Sequence, residues 1–126
     1  MEFGIGIATT SESWKLAQRA EELGFSHAWF YDTQMITADC FVAMGAAALK
    51  TSRIHLGTGV LVPSNRIAAV TANSFATLNA MAPGRIDFGV GTGFPVLRSV
   101  LRRCSSPRLP ARPPAFDWAR RSVCCR

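Results

Sequence analysis

A single carboxylate follows a strongly apolar run in the first third of the chain. Residues 28–31 (Ala-Trp-Phe-Tyr) have the composition of a buried strand, and Asp32 comes directly after them. A carboxylate at the end of such a strand can hydrogen-bond a cofactor or substrate, or take part in proton transfer. The alternative is that Asp32 caps a helix or braces a loop, and the residue types leave both interpretations open.

Two glycines interrupt the next apolar run, which covers residues 54–62. Glycine weakens a strand because it has no side chain to pack and loses much conformational entropy on folding. Gly57 and Gly59 therefore indicate a bulge or the close approach of a flat partner. A cofactor ring can be that partner, but a tight bend or a helix contact explains the same glycines.

A glycine-rich turn, Gly-Val-Gly-Thr-Gly at residues 89–93, follows a further apolar run. Its spacing is GxGxG, without the glycine at the sixth position that opens the helix of a dinucleotide-binding fingerprint. Its backbone amides and the Thr92 hydroxyl suit a phosphate or a ring edge. A turn that simply requires glycine is the competing interpretation.

The histidines and cysteines do not form a recognisable ligand pattern. His27 and His55 lie inside strand-like runs, which favours packed or hydrogen-bonded structural roles. Cys40 starts a helical run and is expected to be a small buried residue. Without paired cysteines or a nearby histidine, the sequence predicts neither a metal site nor a disulfide framework. The remaining cysteines are Cys104, Cys124 and Cys125.

The elements that position these residues alternate between strand-like and amphipathic helical runs. This alternation predicts an α/β fold with about four parallel strands and three helices. Ligand sites in such folds gather at the carboxyl ends of the strands, where Asp32, Gly59 and Thr92 are expected. The predicted strands are residues 3–8, 26–31, 54–62 and 86–91. The first predicted helix begins after Thr10 and Ser11, and the other two cover residues 39–50 and 67–81.

Each helix has an apolar stripe that is predicted to face the sheet. The predicted buried positions are Leu16, Ala20 and Leu23 in the first helix, Phe41, Met44 and Ala48 in the second, and Val70, Phe75 and Leu78 in the third.

The composition changes sharply after Phe94, which predicts a boundary between residues 1–94 and 95–126. The first part has six basic and seven acidic residues, whereas the second has eight arginines, no lysine and a single aspartate. Five of the seven prolines also lie in the second part, so we expect residues 95–126 to be a disordered Arg/Pro-rich tail. We favour a frameshifted translation as its origin, and the alternative is a genuine arm whose three-residue proline spacing binds a partner.

Several classes of protein are disfavoured by the same counts. The net charge of +6 comes entirely from the tail, so the folded part has no basic surface for nucleic acid. No apolar run reaches the length of a membrane span, and the first residues lack a secretory signal pattern. We therefore expect a cytoplasmic protein that binds neither nucleic acid nor membrane.

Taken together, residues 21–32, 53–60 and 76–93 resemble the luciferase-like monooxygenase superfamily in order and spacing. The resemblance is strongest to the branch of methylenetetrahydromethanopterin reductase and other F420-dependent enzymes. It implies that residues 1–94 form the N-terminal half of a TIM (β/α)8 barrel. The cofactor implied is F420 or flavin mononucleotide (FMN), which would exchange a hydride with, or oxygenate, a small organic substrate.

The resemblance also assigns roles to individual positions. Gly59 and Val60 match a bulged third strand with a non-proline cis peptide, which backs the cofactor ring in the F420 branch. Thr92 and Gly93 match a loop near the cofactor, and Asp32 matches a candidate catalytic residue at the mouth of the site. No metal ligand is implied.

Two departures limit what can be transferred from the family. A catalytic histidine and a glutamate of some F420-dependent dehydrogenases are replaced here by Thr33 and Phe94. We expect a truncated or frameshifted chain that is inactive alone and self-associates through the open edges of its half barrel. The second hypothesis is a small non-enzymatic α/β module whose basic, proline-rich arm binds a partner.

Overall fold

A computed structural model describes residues 1–92 of the protein, and the predictions for Gly93 and for residues 95–126 lie outside them. Four parallel strands and three α-helices alternate along these residues, which confirms the predicted α/β fold class. The elements are β1 (Gly4–Ile7), α1 (Ser13–Glu22), β2 (His27–Phe30), α2 (Cys40–Lys50), β3 (His55–Thr58), a 3-10 turn (Pro63–Asn65), α3 (Ala68–Met81) and β4 (Ile86–Asp87). The strands are ordered β1-β2-β3-β4, so each pairs with its neighbour in the chain.

Strands β3 and β4 are shorter than predicted because their regular pairing is interrupted. The peptide bond between Gly59 and Val60 is cis, as the resemblance implied for these two positions. Beyond it, an isolated parallel bridge joins Leu61 to Val90. The predicted third strand is therefore a short strand followed by an isolated bridge.

The core lies between one face of the sheet and the helices. Ile7, Phe30 and Leu56 point from three strands into this layer and are fully buried. On the helix side the layer is built largely from alanines together with Met44. Small side chains allow the helices to approach the sheet closely.

The predicted face of α1 is wrong at two of its three positions. Ala20 is buried, but Leu16 and Leu23 are exposed, and the buried stripe includes Ala17. The pattern favours the largest apolar residues, whereas the closely packed helix buries its small ones. The N-cap is Glu12 rather than Thr10 or Ser11.

The other two helices agree better with the predicted faces. In α2, Met44 and Ala48 are buried and Phe41 packs against the core. In α3, Leu78 is buried, but Val70 is half exposed, so its predicted burial is wrong. Within the described residues β1 and β4 form the sheet edges, and the expected self-association through them stays a prediction.

Glu21, near the end of α1, braces the segment that leads into β3. Its carboxylate accepts hydrogen bonds from the backbone N–H groups of Ser52, Arg53 and Ile54. Partial burial opposes ionisation, but these donors outweigh it and hold the pKa of Glu21 below its usual value of 4.5. The ionised carboxylate therefore stabilises the folded state.

Replacing Glu21 with glutamine should lower the free energy of unfolding at pH 7 by about 1 kcal/mol, the scale of a partly solvated charge-assisted hydrogen bond. Because the folded pKa is lowered, this stabilisation is complete above the unfolded value of 4.5 and disappears as the pH falls through the folded pKa. Urea unfolding at pH 7 and at successively lower pH measures the difference. Glu22→Gln is the control, since its carboxylate is exposed and pairs with Arg19. An equal effect of both substitutions would contradict the bracing role.

No helix in residues 1–92 is long and apolar enough to cross a membrane.

Candidate functional site

Asp32 lies just beyond β2 and is almost completely enclosed. Its side chain is 1% exposed, and its two oxygens contact Nη1 of Arg66 at 2.7 and 2.6 Å. It also accepts hydrogen bonds from the Val62 N–H at 3.2 Å, from the Gln34 amide and from the Cys40 thiol. These contacts match the bracing role that the sequence left open for Asp32. Its role in proton transfer stays a prediction.

Arg66 joins two carboxylates at this end of the sheet. Its side chain is 11% exposed, and Nη2 lies 2.7 Å from Oδ2 of Asp39, the N-cap residue of α2. The guanidinium group also lies over the ring of Phe41, 4.8 Å from the ring centroid. Burial opposes its charge, but the hydrogen bonds to Asp32 and Asp39 outweigh burial and raise the pKa of Arg66. Arg66 therefore ties β2, α2 and the segment after β3 together.

Sequence reasoning did not assign this role to Arg66. A usable signal was present, because Asp32, Asp39 and Arg66 all follow strands at the edge where ligand sites gather. The pairing depends, however, on where the 3-10 turn directs the chain after Val62.

Cys40 is the small buried residue that the sequence predicts. It is unpaired, fully enclosed and 3.6 Å from Oδ1 of Asp32. Burial, together with the negative charge of Asp32, raises the pKa of Cys40 to about 12. The thiol therefore stays protonated at neutral pH and is a poor nucleophile.

Both glycines of the predicted third strand approach Trp29, Gly57 at the flat indole ring and Gly59 at the Cβ atom. A Cβ added to Gly57 would lie 2.5 Å from the indole ring, and one added to Gly59 would lie 2.9 Å from the Cβ of Trp29. The ring also stacks parallel to His27, with an interplanar angle of 3°. These glycines therefore accommodate a residue of the fold itself.

The outer ends of β3 and β4 form an exposed ledge, which we define as Gly59, Val60, Gly91 and Thr92. The Leu61–Val90 bridge holds its two parts together, with the Gly91 N–H donating to the Leu61 carbonyl at 3.0 Å. The side chain of Val60 is 38% exposed and Thr92 is exposed. The structure thus brings together three of the predicted cofactor-binding residues. The fourth, Gly93, lies outside the described residues.

An apolar groove of 490 Å³ lies between α3 and the segments that follow β3 and β4. The ring of Phe75 in its wall meets Phe88 edge to face at a centroid distance of 4.7 Å. Arg66 closes the groove at the end nearest Asp32. This end of the sheet therefore has an exposed ledge, an apolar groove and one arginine paired with two carboxylates. The groove is lined by Leu61, Pro63, Arg66, Ala68, Thr71, Ala72, Phe75 and Phe88.

Comparison with known proteins relates the chain to a family. A family model described as luciferase-like monooxygenase matches residues 5–101. The chain is 36% identical over 96 residues to a 5,10-methylenetetrahydromethanopterin reductase of Methanolobus tindarius, covering 74% of this chain and 29% of the relative. It is 41% identical over 85 residues to an F420-dependent glucose-6-phosphate dehydrogenase of Kineococcus radiotolerans, covering 61% and 25%.

Solved structures give the same result. A coenzyme F420-dependent tetrahydromethanopterin reductase of Methanopyrus kandleri superimposes with a TM-score of 0.72 and 28% identity, over 80% of this chain and 30% of the other. A monooxygenase of Streptomyces bottropensis gives 0.70 and 28%, over 81% and 36%. Both are TIM barrels, which confirms the predicted relation of the four strands to that fold. The chain thus spans less than a third of the curated relatives named above.

Proposed function

The chain belongs to the luciferase-like monooxygenase family, and from that membership we propose that its exposed ledge contributes to the binding of F420 or FMN. The cofactor would supply hydride transfer, or oxygen chemistry, on a small organic substrate. The relative named as an F420-dependent glucose-6-phosphate dehydrogenase and the structure named as a coenzyme F420-dependent reductase support F420. FMN is the alternative, since other relatives, such as one of Escherichia coli that is 38% identical over 85 residues, are named as luciferase-like monooxygenases.

The observation that carries this proposal is the position of the ledge. It lies at the carboxyl ends of β3 and β4, where parallel α/β folds place their ligands. The exposed side chain of Val60 offers an apolar contact to a ring face. The Thr92 hydroxyl and nearby backbone amides offer hydrogen bonds to a ring edge or phosphate.

Asp32 acts in this proposal as a positioning residue. Its carboxylate holds the N–H of Val62, two residues beyond the ledge, and the guanidinium of Arg66. Asp32 and Asp39 are both paired with Arg66, and the Cys40 thiol is protonated. We therefore propose that the chain by itself binds cofactor weakly and lacks turnover, and that further barrel strands must complete the site.

Titration of the full chain with F420 and, separately, with FMN tests the proposal through quenching of cofactor fluorescence. We expect Val60→Asp to weaken binding by about 10-fold or more, because it places a charge where the apolar ring face would lie. Val42→Asp is the matched control, since Val42 is 74% exposed on α2. Binding of neither cofactor, or equal affinity of the two variants, would contradict the assignment of the ledge.

A further inference from the structure

Three potential metal ligands meet on the face of the sheet opposite the helices, away from the ledge. His27 and His55 are the first residues of β2 and β3 and are directly paired in the register. Asp87 lies in β4 and pairs with Gly57 of β3. Gly57 follows His55 by two residues, so Asp87 lies on the same face of the sheet as His55. The ends of three neighbouring strands thus present two imidazoles and a carboxylate together.

The distances suit a small cation. Oδ2 of Asp87 lies 3.2 Å from Nδ1 of His55 and 3.8 Å from Nε2 of His27. One ligand atom from each residue can be chosen so that all three lie within 4.8 Å of one another. A tetrahedral Zn²⁺ with bonds of about 2.0–2.1 Å separates its ligands by about 3.4 Å. Binding would therefore require side-chain rotations that draw the three ligand atoms closer together.

Ser26 determines which nitrogen of His27 is available. The Ser26 hydroxyl donates its single hydrogen to the Phe3 carbonyl at 2.9 Å. Its 2.9 Å contact with Nδ1 of His27 must therefore be donated by the histidine. Neutral His27 then carries its bare lone pair on Nε2, the nitrogen that faces Asp87. A lone pair facing a carboxylate oxygen is repulsive unless a proton or a metal cation lies between them, and a polar partner on the other ring nitrogen is typical of metal-bound histidine.

We propose that His27, His55 and Asp87 bind a divalent transition-metal ion of the Zn²⁺ type. Imidazole and carboxylate ligands favour Zn²⁺ or Co²⁺ over Mg²⁺ and Ca²⁺, which prefer oxygen-only sites. A pocket of 290 Å³ lined by His27 and His55 gives solvent access for a water as fourth ligand. The ion joins β2, β3 and β4 at the amino ends of the strands, so its role is to stabilise the sheet.

This inference differs from the sequence prediction of no metal site. His27, His55 and Asp87 are separated by 28 and 32 residues, far outside any short ligand motif. They meet because the strand register aligns the starts of β2, β3 and β4.

The test uses the full chain with Cys104, Cys124 and Cys125 replaced by serine, so that thiols outside the described residues do not compete. After treatment with a chelator, titration with Co²⁺ should show one bound equivalent. The absorption should be that of a four-coordinate site without a thiolate-to-cobalt charge-transfer band. Zn²⁺ should displace Co²⁺ and raise the unfolding temperature.

Variants locate the ion. We expect His55→Ala and Asp87→Asn each to weaken Zn²⁺ binding by more than about 100-fold, and Ser26→Ala to weaken it by about 10-fold through the orientation of His27. Glu22→Gln, an exposed carboxylate on α1, should leave the affinity unchanged. Circular dichroism of each metal-free variant checks the fold, and Asp87→Asn preserves the side-chain shape. Absence of Zn²⁺ and Co²⁺ binding, or unchanged affinity in His55→Ala and Asp87→Asn, would overturn the proposal.

Discussion

Replacing Arg66 with methionine should lower the free energy of unfolding by about 3–5 kcal/mol, because it leaves the enclosed Asp32 carboxylate without its ion partner. The Asp32 side chain is 1% exposed, so water cannot readily replace the two short contacts from Arg66. Methionine preserves much of the apolar volume over Phe41 while removing the charge. Urea unfolding at pH 7, followed by circular dichroism, measures the loss.

Two further variants separate the ion pair from general effects of removing an arginine. Arg19→Met removes an exposed arginine paired with Glu22 on α1 and should change stability by less than about 0.5 kcal/mol. Adding Asp32→Leu to Arg66→Met removes the unpaired charge and should recover part of the loss. If Arg66→Met is no more destabilising than Arg19→Met, the pair does not hold this end of the sheet together.

The contacts of Arg66 show where sequence reasoning stops. The apolar run before Asp32 and the capping role of Asp39 are local patterns, and a strand and a helix follow from them directly. The pairing of Arg66 with both acids spans 34 and 27 residues and depends on the 3-10 turn after β3. Local propensity does not determine the direction of such a turn.

The glycines of the third strand illustrate a different limit. Their spacing correctly indicates a close approach, because glycine in a strand is otherwise unfavourable. The sequence cannot say what approaches, and at Gly57 it is the indole of Trp29 on the neighbouring strand. The cofactor interpretation therefore rests on the exposed ledge, where Val60 directly follows Gly59.

The predicted burial of Leu16 and Leu23 in α1 is wrong for a related reason. Hydropathy ranks Leu16 above Ala17, but helix-to-sheet distance decides which residue is enclosed. A layer built largely from alanines on α1 and α2 draws those helices close and leaves the longer leucine outside it. The period of the apolar pattern was sufficient to identify a helix, whereas its orientation depends on packing that only the assembled fold defines.

Gly89 gives the second large expected effect, because it lies between β4 and the Leu61–Val90 bridge, packed against the end of β3. Its carbonyl accepts hydrogen bonds from the Thr58 hydroxyl and the Leu61 N–H, both at 2.8 Å. A Cβ on Gly89 would overlap the backbone carbonyl oxygen of Thr58. Backbone cannot yield as a flexible side chain does, so β4 would have to move away and both hydrogen bonds would weaken.

Gly89→Ala should therefore lower the free energy of unfolding by about 3 kcal/mol and weaken cofactor binding at the ledge, since the segment that follows β4 carries Thr92. The φ angle of Gly89 lies outside the left-handed region, so alanine adds this contact without a backbone penalty. Gly45→Ala is the matched control: its nearest neighbours would lie 3.8 and 3.9 Å away, and alanine inside α2 should stabilise by about 0.5–1 kcal/mol. Urea unfolding of both variants beside F420 and FMN titrations provides the comparison. Equal stability of the Gly89→Ala variant and the unsubstituted protein would mean that β4 is not held against β3 at this point, and the ledge would then lack the support on which its proposed role depends.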